Sequence, residues 1–230
     1  MAVGIIFDCD GVLVDSEPLA NRVFAQMLTD IGLPTSADSA MRDFMGRSTS
    51  AVAAIVEQRL GHALPPTFLD EYASRCEECF AHELRAVAGV EAALGRITPP
   101  TCVASSGSHE KIRFTLGHTG LLAHFEGRIF SATEVAHGKP SPDLFLHAAA
   151  RMGFEPKHAI VVEDSPSGVR AGVAAGMAVL AYAGHVPCEE LAAAGGRVFT
   201  DMADLPMLIN GLLAEQLRPG IDTVREQRDK

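Results

Sequence analysis

Short apolar runs alternate with longer amphipathic stretches along most of the chain. The apolar runs end in turn or acidic residues, as buried strands do, and they lie at Val3–Phe7, Thr101–Ala104, Arg128–Phe130, Ala159–Val162, Ala178–Tyr182 and Val198–Phe199. Stretches with helical spacing separate them, at Lys111–Leu116, Asp143–Met152 and Val169–Ala175. Strands that alternate with helices predict a parallel sheet with helices on both faces.

Three positions support these helix boundaries. Ser141-Pro142 and Ser165-Pro166 each place a capping hydroxyl before a proline suited to the first helical position. Gly176 follows the third helical stretch, where a helix commonly ends.

Residues 16–85 interrupt the alternation. They contain helical patterns at Leu19–Ile31, Thr49–Leu60 and Thr67–Leu84 and no convincing strand. Because the first strand precedes this segment and the others follow it, the pattern predicts an inserted helical domain. We therefore expect an α/β fold with a Rossmann-like parallel sheet core formed by residues 1–15 and 86–230, and an α-helical cap domain formed by residues 16–85.

Composition and charge narrow the classes of protein that fit. A chain of 230 residues with 47% hydrophobic content has enough apolar material for one core and a small accessory domain. The net charge of −10, without clustered Lys and Arg, argues against a nucleic-acid partner. A small anionic substrate remains compatible, because it responds to the local field of its pocket.

Cysteine usage and hydropathy bear on the compartment. The 5 cysteines are irregularly spaced, which disfavours a secreted disulfide scaffold and favours the cytoplasm. Cys76 and Cys79 have C-x-x-C spacing but lie in a helical stretch without a second pair, so we predict no zinc or redox site there. The N-terminus enters a strand at once, and no apolar run approaches the roughly 20 residues of a membrane span, so we expect neither a signal peptide nor a membrane partner.

Residues with chemical potential follow the predicted strands. Asp8 and Asp10 come after the first strand, Ser105 ends the second, and Glu163-Asp164 follows the fourth. Lys139 precedes a helix that begins near the same edge. Open α/β sheets bind ligands beyond the carboxyl ends of their strands, so we expect these side chains to meet there.

The pair Asp8 and Asp10 has the spacing for two-carboxylate chemistry. Residues two apart in an extended segment project to one side, and Gly11 permits a sharp departure of the chain. One carboxylate can attack phosphorus while the other handles protons, which gives a covalent acyl-phosphate intermediate.

Four acids at one edge require a counter-ion. Two carboxylates near 4 Å repel by about 4 kcal/mol at intermediate dielectric, and the set comprises Asp8, Asp10, Glu163 and Asp164. Oxygen donors select a hard cation, so the sequence predicts Mg²⁺ as cofactor.

Four segments resemble the motifs of the haloacid dehalogenase superfamily, in the order typical of that family. They are FDCDGVLVDSE (Phe7–Glu17), VASSGS (Val103–Ser108), HGKPSPD (His137–Asp143) and VVEDSPSG (Val161–Gly168). The helical insert resembles the first cap type of the superfamily. The chain is similar to the subgroup that contains β-phosphoglucomutase and sugar-phosphate phosphatases, and residues 92–105 resemble bacterial 6-phosphogluconate phosphatases.

The resemblance implies a role for each acid. Asp8 is the expected nucleophile, and Asp10 the general acid that protonates the leaving alcohol and then activates water. The Asp8 carboxylate, the Asp10 carbonyl oxygen and Asp164 are the implied metal ligands. Glu163 either ligates the metal directly or positions another ligand, and a helix-start acid that only complements the helix dipole is the alternative.

The second and third motifs contain the expected phosphate contacts. Lys139 supplies a charge that neutralises phosphoryl oxygens and keeps Asp8 ionised. Ser105 is expected to donate to the phosphoryl group, and the backbone N–H groups of Ser106 and Gly107 to bind the anion. Helix capping is the alternative for this serine-rich segment, and it suits Ser108 best.

Candidate specificity residues lie in the predicted cap. Arg47 suits bidentate contact with a substrate carboxylate or second phosphate, although an ordinary surface arginine fits equally well. Glu17 and Asn21 lie one helical turn apart and face either the pocket or solvent.

The expected activity is magnesium-dependent hydrolysis of a small phosphorylated metabolite, either a sugar phosphate or a phosphorylated sugar acid. A phosphomutase of the β-phosphoglucomutase type is an alternative, but the histidine that such relatives carry after the first motif is absent from residues 17–21. A carbon–halogen hydrolase fits less well. Such relatives lack the second aspartate of the first motif and work without a metal, whereas Asp10 and Asp164 are present here. A non-catalytic phosphometabolite-binding protein is a third possibility. Such a protein is expected to have lost one or more catalytic groups, whereas this chain has all five, namely Asp8, Asp10, Ser105, Lys139 and Asp164.

Overall fold

The computed structural model describes residues 3–44 and 49–216. In these ranges the strands are β1 Gly4–Phe7, β2 Thr101–Ser105, β3 Ile129–Ser131, β4 Ala159–Glu163, β5 Ala178–Tyr182 and β6 Arg197–Phe199. All six predicted strands are confirmed, with bounds that differ by at most one residue.

The strands form one parallel sheet in the order β3-β2-β1-β4-β5-β6. β1 is central, and its last residue, Phe7, is paired with Val103 on β2 and with Val162 on β4. The strand order reverses at β1, and open α/β sheets place their ligand crevice at such a point. The α/β core with a Rossmann-like sheet is therefore confirmed, and the crevice lies where Asp8 follows β1.

The α-helices of the described residues comprise the six predicted ones and four others. They are α1 Glu17–Asp30, α2 Ala37–Phe44, α3 Thr49–Leu60, α4 Phe68–Glu83, α5 Val90–Leu94, α6 His109–His118, α7 Asp143–Met152, α8 Pro166–Ala174, α9 Cys188–Ala193 and α10 Leu205–Gln216. Short 3₁₀ turns lie at Leu122–His124, Ala132–Glu134, Pro156–His158 and Met202–Asp204. None of these helices is long and apolar enough to cross a bilayer, and all 5 cysteines are free thiols.

Both faces of the sheet are buried. Alternate residues of a strand point to opposite faces, so Ile5 and Phe7 join one apolar cluster while Ile6, between them, joins the other. The strands therefore read as continuous apolar runs, and the polar residues that follow them are held at the edge by a rigid frame.

Helices α1 to α4 surround a third apolar cluster. Its centre is Phe24, whose ring meets those of Phe44, Phe68 and Tyr72 edge-on, at centroid distances of 5.3, 6.0 and 5.5 Å.

The helical segment leaves and rejoins the core at one place. Val14 and Ala86 form an antiparallel bridge. The backbone N–H of Asp15 donates to the carbonyl oxygen of Arg85 at 2.9 Å. The two connections of the helical segment are therefore neighbours.

Two helix-start predictions had different outcomes. Ser165 caps α8, because its Oγ accepts from the N–H of Gly168 at 3.0 Å, and Ser108 caps α6 in the same way. The prediction for Ser141 is wrong. Pro142 occupies the cap position of α7, and the Ser141 hydroxyl donates to Asp143 at 2.6 Å instead of capping the helix.

Candidate active site

Lys139 pairs with two buried carboxylates, one that follows β1 and one at the end of β4. Its Nζ lies 2.9 Å from Asp8 Oδ1 and 2.7 Å from Glu163 Oε1, and it also packs 4.9 Å from the ring centroid of Phe145. Burial acts to lower the pKa of Lys139, but the two carboxylates outweigh it and raise the pKa above its usual range. Lys139 is therefore a fixed positive charge beside Asp8.

Glu163 holds this arrangement in place. Its side chain is fully buried, with Oε1 on Lys139 and Oε2 accepting from the backbone N–H groups of Asp164 and Ser165, both at 2.8 Å, and from the Ser165 hydroxyl at 3.0 Å. A Cβ at Gly168 would lie 1.6 Å from Glu163 Oε1, so only glycine leaves room for this carboxylate. The pairing of Glu163 with Lys139 is a contact that the sequence did not reveal.

Asp8, Glu163 and Asp164 form an acidic cluster in which one oxygen from each lies within 4.8 Å of the others. Burial raises the pKa of Asp8 to about 7, against the effect of Lys139 and with the help of Glu163. Burial and the neighbouring carboxylates also raise the pKa of Asp164 well above its usual value. One lysine thus leaves the cluster short of positive charge.

The donor set fits a hard divalent cation. All donors are carboxylate oxygens, the type that Mg²⁺ prefers, and the raised pKa values mark uncompensated negative charge. Because both oxygens of Glu163 already accept hydrogen bonds, Asp8 and Asp164 are the groups best able to hold the ion. Asp164 packs against Gly11, where a Cβ would lie 1.9 Å from Asp164 Oδ2 and φ is +74°.

The Asp10 side chain lies outside this acidic cluster. Its Oδ2 is 2.8 Å from Lys111 Nζ, and its Oδ1 accepts from the Ser16 hydroxyl at 2.7 Å. Burial raises the pKa of Asp10, but Lys111 and Ser16 outweigh burial and hold it below the usual value. Sequence reasoning missed both partners. The signal for Lys111 was its position in the first turn of the helix that follows the second motif.

The second motif forms a compact turn after β2. Ser105 is 1% exposed, and its Oγ accepts from the N–H of Gly107 at 3.2 Å. The Gly107 carbonyl oxygen accepts from Ser131 Oγ at 2.6 Å, and Ser106 is exposed. Because β2 pairs with β1, Ser105 lies at the edge of the sheet next to the end of β1. The Gly107 N–H, which was predicted to bind the anion, donates to Ser105 Oγ in this structure.

A cavity of about 460 Å³ lies between α1 to α4 and the core. Its polar lining comes from Asp10, Ser16, Glu17, Asn21 and Lys111, and its apolar lining from Ala20, Phe24, Phe44, Val52, Ala53, Leu64, Phe68, Leu69, Tyr72 and Phe80. Both Glu17 and Asn21 thus face the cavity, and Asn21 Nδ2 donates to the Glu17 carbonyl oxygen at 2.8 Å. The predicted contact from Arg47 falls outside the described residues.

Several curated proteins with similar sequences are phosphatases by name. The chain is 31% identical over 205 residues to a 6-phosphogluconate phosphatase of Escherichia coli, covering 89% of this chain and 93% of that protein. It is also 31% identical over 176 residues to a fructose-1-phosphate phosphatase of the same species, covering 76% and 93% of the two chains.

Structural and family comparisons agree with these matches. A crystal structure of a haloacid dehalogenase-like protein of unknown function from Agrobacterium tumefaciens superposes with a TM-score of 0.85 at 35% identity, covering 92% of this chain and 99% of that one. The family model described as haloacid dehalogenase-like hydrolase matches residues 3–176. With this match over most of its length, the chain belongs to the haloacid dehalogenase-like hydrolase family.

Proposed function

We propose that this protein is a magnesium-dependent phosphatase that hydrolyses a small phosphorylated metabolite through a phosphorylated Asp8. The observation that supports this most directly is the position of Asp8. Its carboxylate lies at the strand-order reversal, 2.9 Å from Lys139 and within 4.8 Å of the carboxylate oxygens of Glu163 and Asp164.

Asp8 acts as the nucleophile in this proposal. A bond forms between its carboxylate oxygen and phosphorus while the bond from phosphorus to the alcohol oxygen breaks. Lys139 lowers the pKa of Asp8 against the effect of burial and attracts the phosphoryl oxygens, and Glu163 holds Lys139. Ser105 donates to the phosphoryl group from the neighbouring strand, with the backbone N–H of Ser106 as a further donor and that of Gly107 becoming one when it leaves Ser105 Oγ.

Asp10 moves the protons. It protonates the alcohol oxygen as the alcohol leaves, and it then takes a proton from the water that attacks the phosphorylated Asp8. In the described state Lys111 and Ser16 hold Asp10 in its ionised form, so Asp10 takes up a proton from solvent before it acts as the acid, and it recovers that proton from the attacking water.

Mg²⁺ would be held by the Asp8 and Asp164 carboxylates, with the Asp10 carbonyl oxygen as the third proposed protein ligand. When bound, it offsets the negative charge of these groups and of the phosphate. Glu163 contributes by fixing the adjacent backbone and Lys139.

The proposed substrate class is a phosphorylated carbohydrate, either a sugar phosphate or a phosphorylated sugar acid, which the names of the two curated relatives support. Residues 16–85 are the proposed cap domain, with Glu17, Asn21 and Arg47 as its specificity residues. Nothing in the site calls for a nucleic-acid partner, and the free cysteines support the cytoplasm as the proposed compartment.

Phosphate release from a panel of phosphorylated sugars, with Mg²⁺ or with EDTA, tests the proposal. We expect phosphate release only with Mg²⁺. Asp8→Asn should abolish the release. Asp38→Asn, which alters an exposed aspartate of α2, is the control and should leave the release unchanged. Normal turnover by Asp8→Asn would disprove the nucleophile, and activity in EDTA would disprove the metal requirement. Isomerised sugar phosphate without free phosphate would identify a mutase instead.

A further inference from the structure

The cavity between the helical segment and the core starts at Asp10. In the proposed function Asp10 protonates the oxygen of the departing alcohol, so the alcohol must lie next to the Asp10 carboxylate. The cavity is lined by Asp10 at one end and extends away from the sheet into the helical segment. The side chains that line it therefore contact the alcohol part of the substrate, and this inference rests on the proposed function.

The end of the cavity near Asp10 is polar and carries net negative charge. The Asp10 and Glu17 carboxylates face a single ammonium group, that of Lys111, which already pairs with Asp10 at 2.8 Å. Burial, and to a smaller extent the nearby Asp10, raises the pKa of Glu17 against the opposing effects of Lys111 and His185. Among the described lining residues, a substrate carboxylate finds no cation that is free to bind it.

Uncharged hydroxyl groups fit this polar end better than a carboxylate does. Glu17 and the Ser16 Oγ offer acceptors, and the Asn21 side chain offers both donors and acceptors. Asn21 is 8% exposed and is already oriented by its bond to the Glu17 carbonyl oxygen. The polar end therefore suits the hydroxyl groups of a neutral sugar.

The far end of the cavity is aromatic and apolar. Phe24, Phe44, Phe68, Tyr72 and Phe80 line it together with Val52, Leu64 and Leu69. The Tyr72 hydroxyl is committed to the Ala20 carbonyl oxygen at 3.4 Å. A sugar hydroxyl placed against these walls would lose its bonds to water without replacement. A flat aromatic ring would instead gain contact area against these apolar walls.

We propose that the preferred substrate is the phosphate ester of a neutral sugar that carries an aromatic ring, such as a nucleoside 5′-monophosphate. The phosphate lies at Asp8, the sugar hydroxyls lie between Asp10 and Asn21, and the ring lies against the apolar wall that includes Val52, Leu69 and Tyr72. The volume of about 460 Å³ is in the range of roughly 300 to 1,000 Å³ typical of small-molecule sites.

Two matched pairs of substrates test the two halves of the proposal on the wild-type protein with Mg²⁺. Uridine 5′-monophosphate and ribose 5-phosphate share the phosphate and the sugar and differ in the ring. We expect kcat/KM to be at least tenfold higher for the nucleotide. Glucose 6-phosphate and 6-phosphogluconate differ in the carboxylate, and we expect kcat/KM to be higher for glucose 6-phosphate.

A variant that fills the cavity provides an independent check. Ala53 on α3 lines the aromatic end, whereas Ala54, the next residue, is exposed. We expect Ala53→Phe to lower kcat/KM for the nucleotide at least tenfold and to change that for ribose 5-phosphate less than threefold. Ala54→Phe should change neither. If Ala53→Phe fails to fold, the unfolding temperature of the wild type decides, because uridine should raise it and ribose at the same concentration should not.

The outcomes separate this inference from the proposed function. If the protein releases phosphate but prefers ribose 5-phosphate, or prefers 6-phosphogluconate to glucose 6-phosphate, the inference is overturned and the phosphatase proposal stands. If no ester releases phosphate with Mg²⁺, the proposed function fails, and this inference fails with it. Equal effects of Ala53→Phe on the nucleotide and on ribose 5-phosphate would also overturn it.

Discussion

The buried Asp8 carboxyl should make the metal-free protein lose stability as the pH rises. Burial raises its pKa from an ordinary 3.8 to about 7 in the folded protein. Between these values the folded protein keeps a proton that the unfolded chain has lost. A raised pKa therefore contributes stability that is fully present below pH 3.8 and is lost as the pH rises through about 7.

The size of this effect follows from the width of the interval. One pH unit of differential proton binding corresponds to about 1.36 kcal/mol. The interval of roughly three units therefore amounts to about 4 kcal/mol for Asp8 alone. This is a large part of the roughly 5 to 15 kcal/mol by which domains are stable. The raised pKa of Asp164 acts in the same direction, whereas the lowered pKa of Asp10 acts in the opposite one.

Because several acids titrate together, the assay compares the wild type with Asp8→Asn, in which a neutral amide replaces the carboxyl. Urea unfolding is measured from pH 4 to pH 8 in EDTA. We expect similar stability of the two proteins near pH 4, and a variant that is more stable by about 4 kcal/mol at pH 8. Added Mg²⁺ should reverse the order at pH 8, since binding to the ionised wild-type site stabilises its folded state.

The control is Asp38→Asn, which removes an exposed carboxyl and should give the wild-type curve. A constant difference between wild type and Asp8→Asn at all pH values in EDTA would refute the reasoning. It would mean that Asp8 is not destabilised by burial in the folded protein.

Three further predictions concern single side chains. Gly168→Ala places a Cβ 1.6 Å from Glu163 Oε1. It should lower the free energy of unfolding by about 2 kcal/mol, and it should also lower kcat. The control is Gly211→Ala, where a Cβ meets nothing within 4 Å, and it should raise the free energy of unfolding by up to about 1 kcal/mol in the same urea assay. Lys139→Met should lower kcat about 100-fold with Mg²⁺ present. Lys139→Arg keeps the positive charge and should lower kcat less. If Lys139→Met lost less activity than Lys139→Arg, the positive charge would not be what matters at this position. Ser108→Ala removes the cap of α6 and should cost about 1 kcal/mol in urea unfolding, which Ser108→Asp should restore.

The strands and the edge at which the acids meet were predictable from the sequence. Fully buried strands such as Ala159–Glu163 are apolar up to their last residue, so their ends coincide with the first polar residues. Parallel pairing then brings those ends together, which is why the sequence predicts Asp8 and Asp164 at one edge of the sheet. The catalytic roles assigned to these residues remain predictions.

Other features were not readable from the chain. Helices Val90–Leu94 and Cys188–Ala193 have 5 and 6 residues, too few for a periodic pattern to emerge. The contacts of Lys111 with Asp10 and of Lys139 with Glu163 depend on how the following helix is tilted over the sheet, which local sequence does not encode. The Ser141 prediction was wrong for a similar reason, because a serine before a proline has both a capping and a non-capping geometry.

The bridge between Val14 and Ala86 makes the helical segment exchangeable. Since its two attachment points are already hydrogen-bonded neighbours, a tight turn from Asp15 to Arg85 would close the same gap without altering any strand of the sheet. In the proposed function the hydrolytic chemistry and the choice of alcohol would then belong to separately replaceable parts of one chain, and we expect a foreign segment grafted at this junction to change the selectivity.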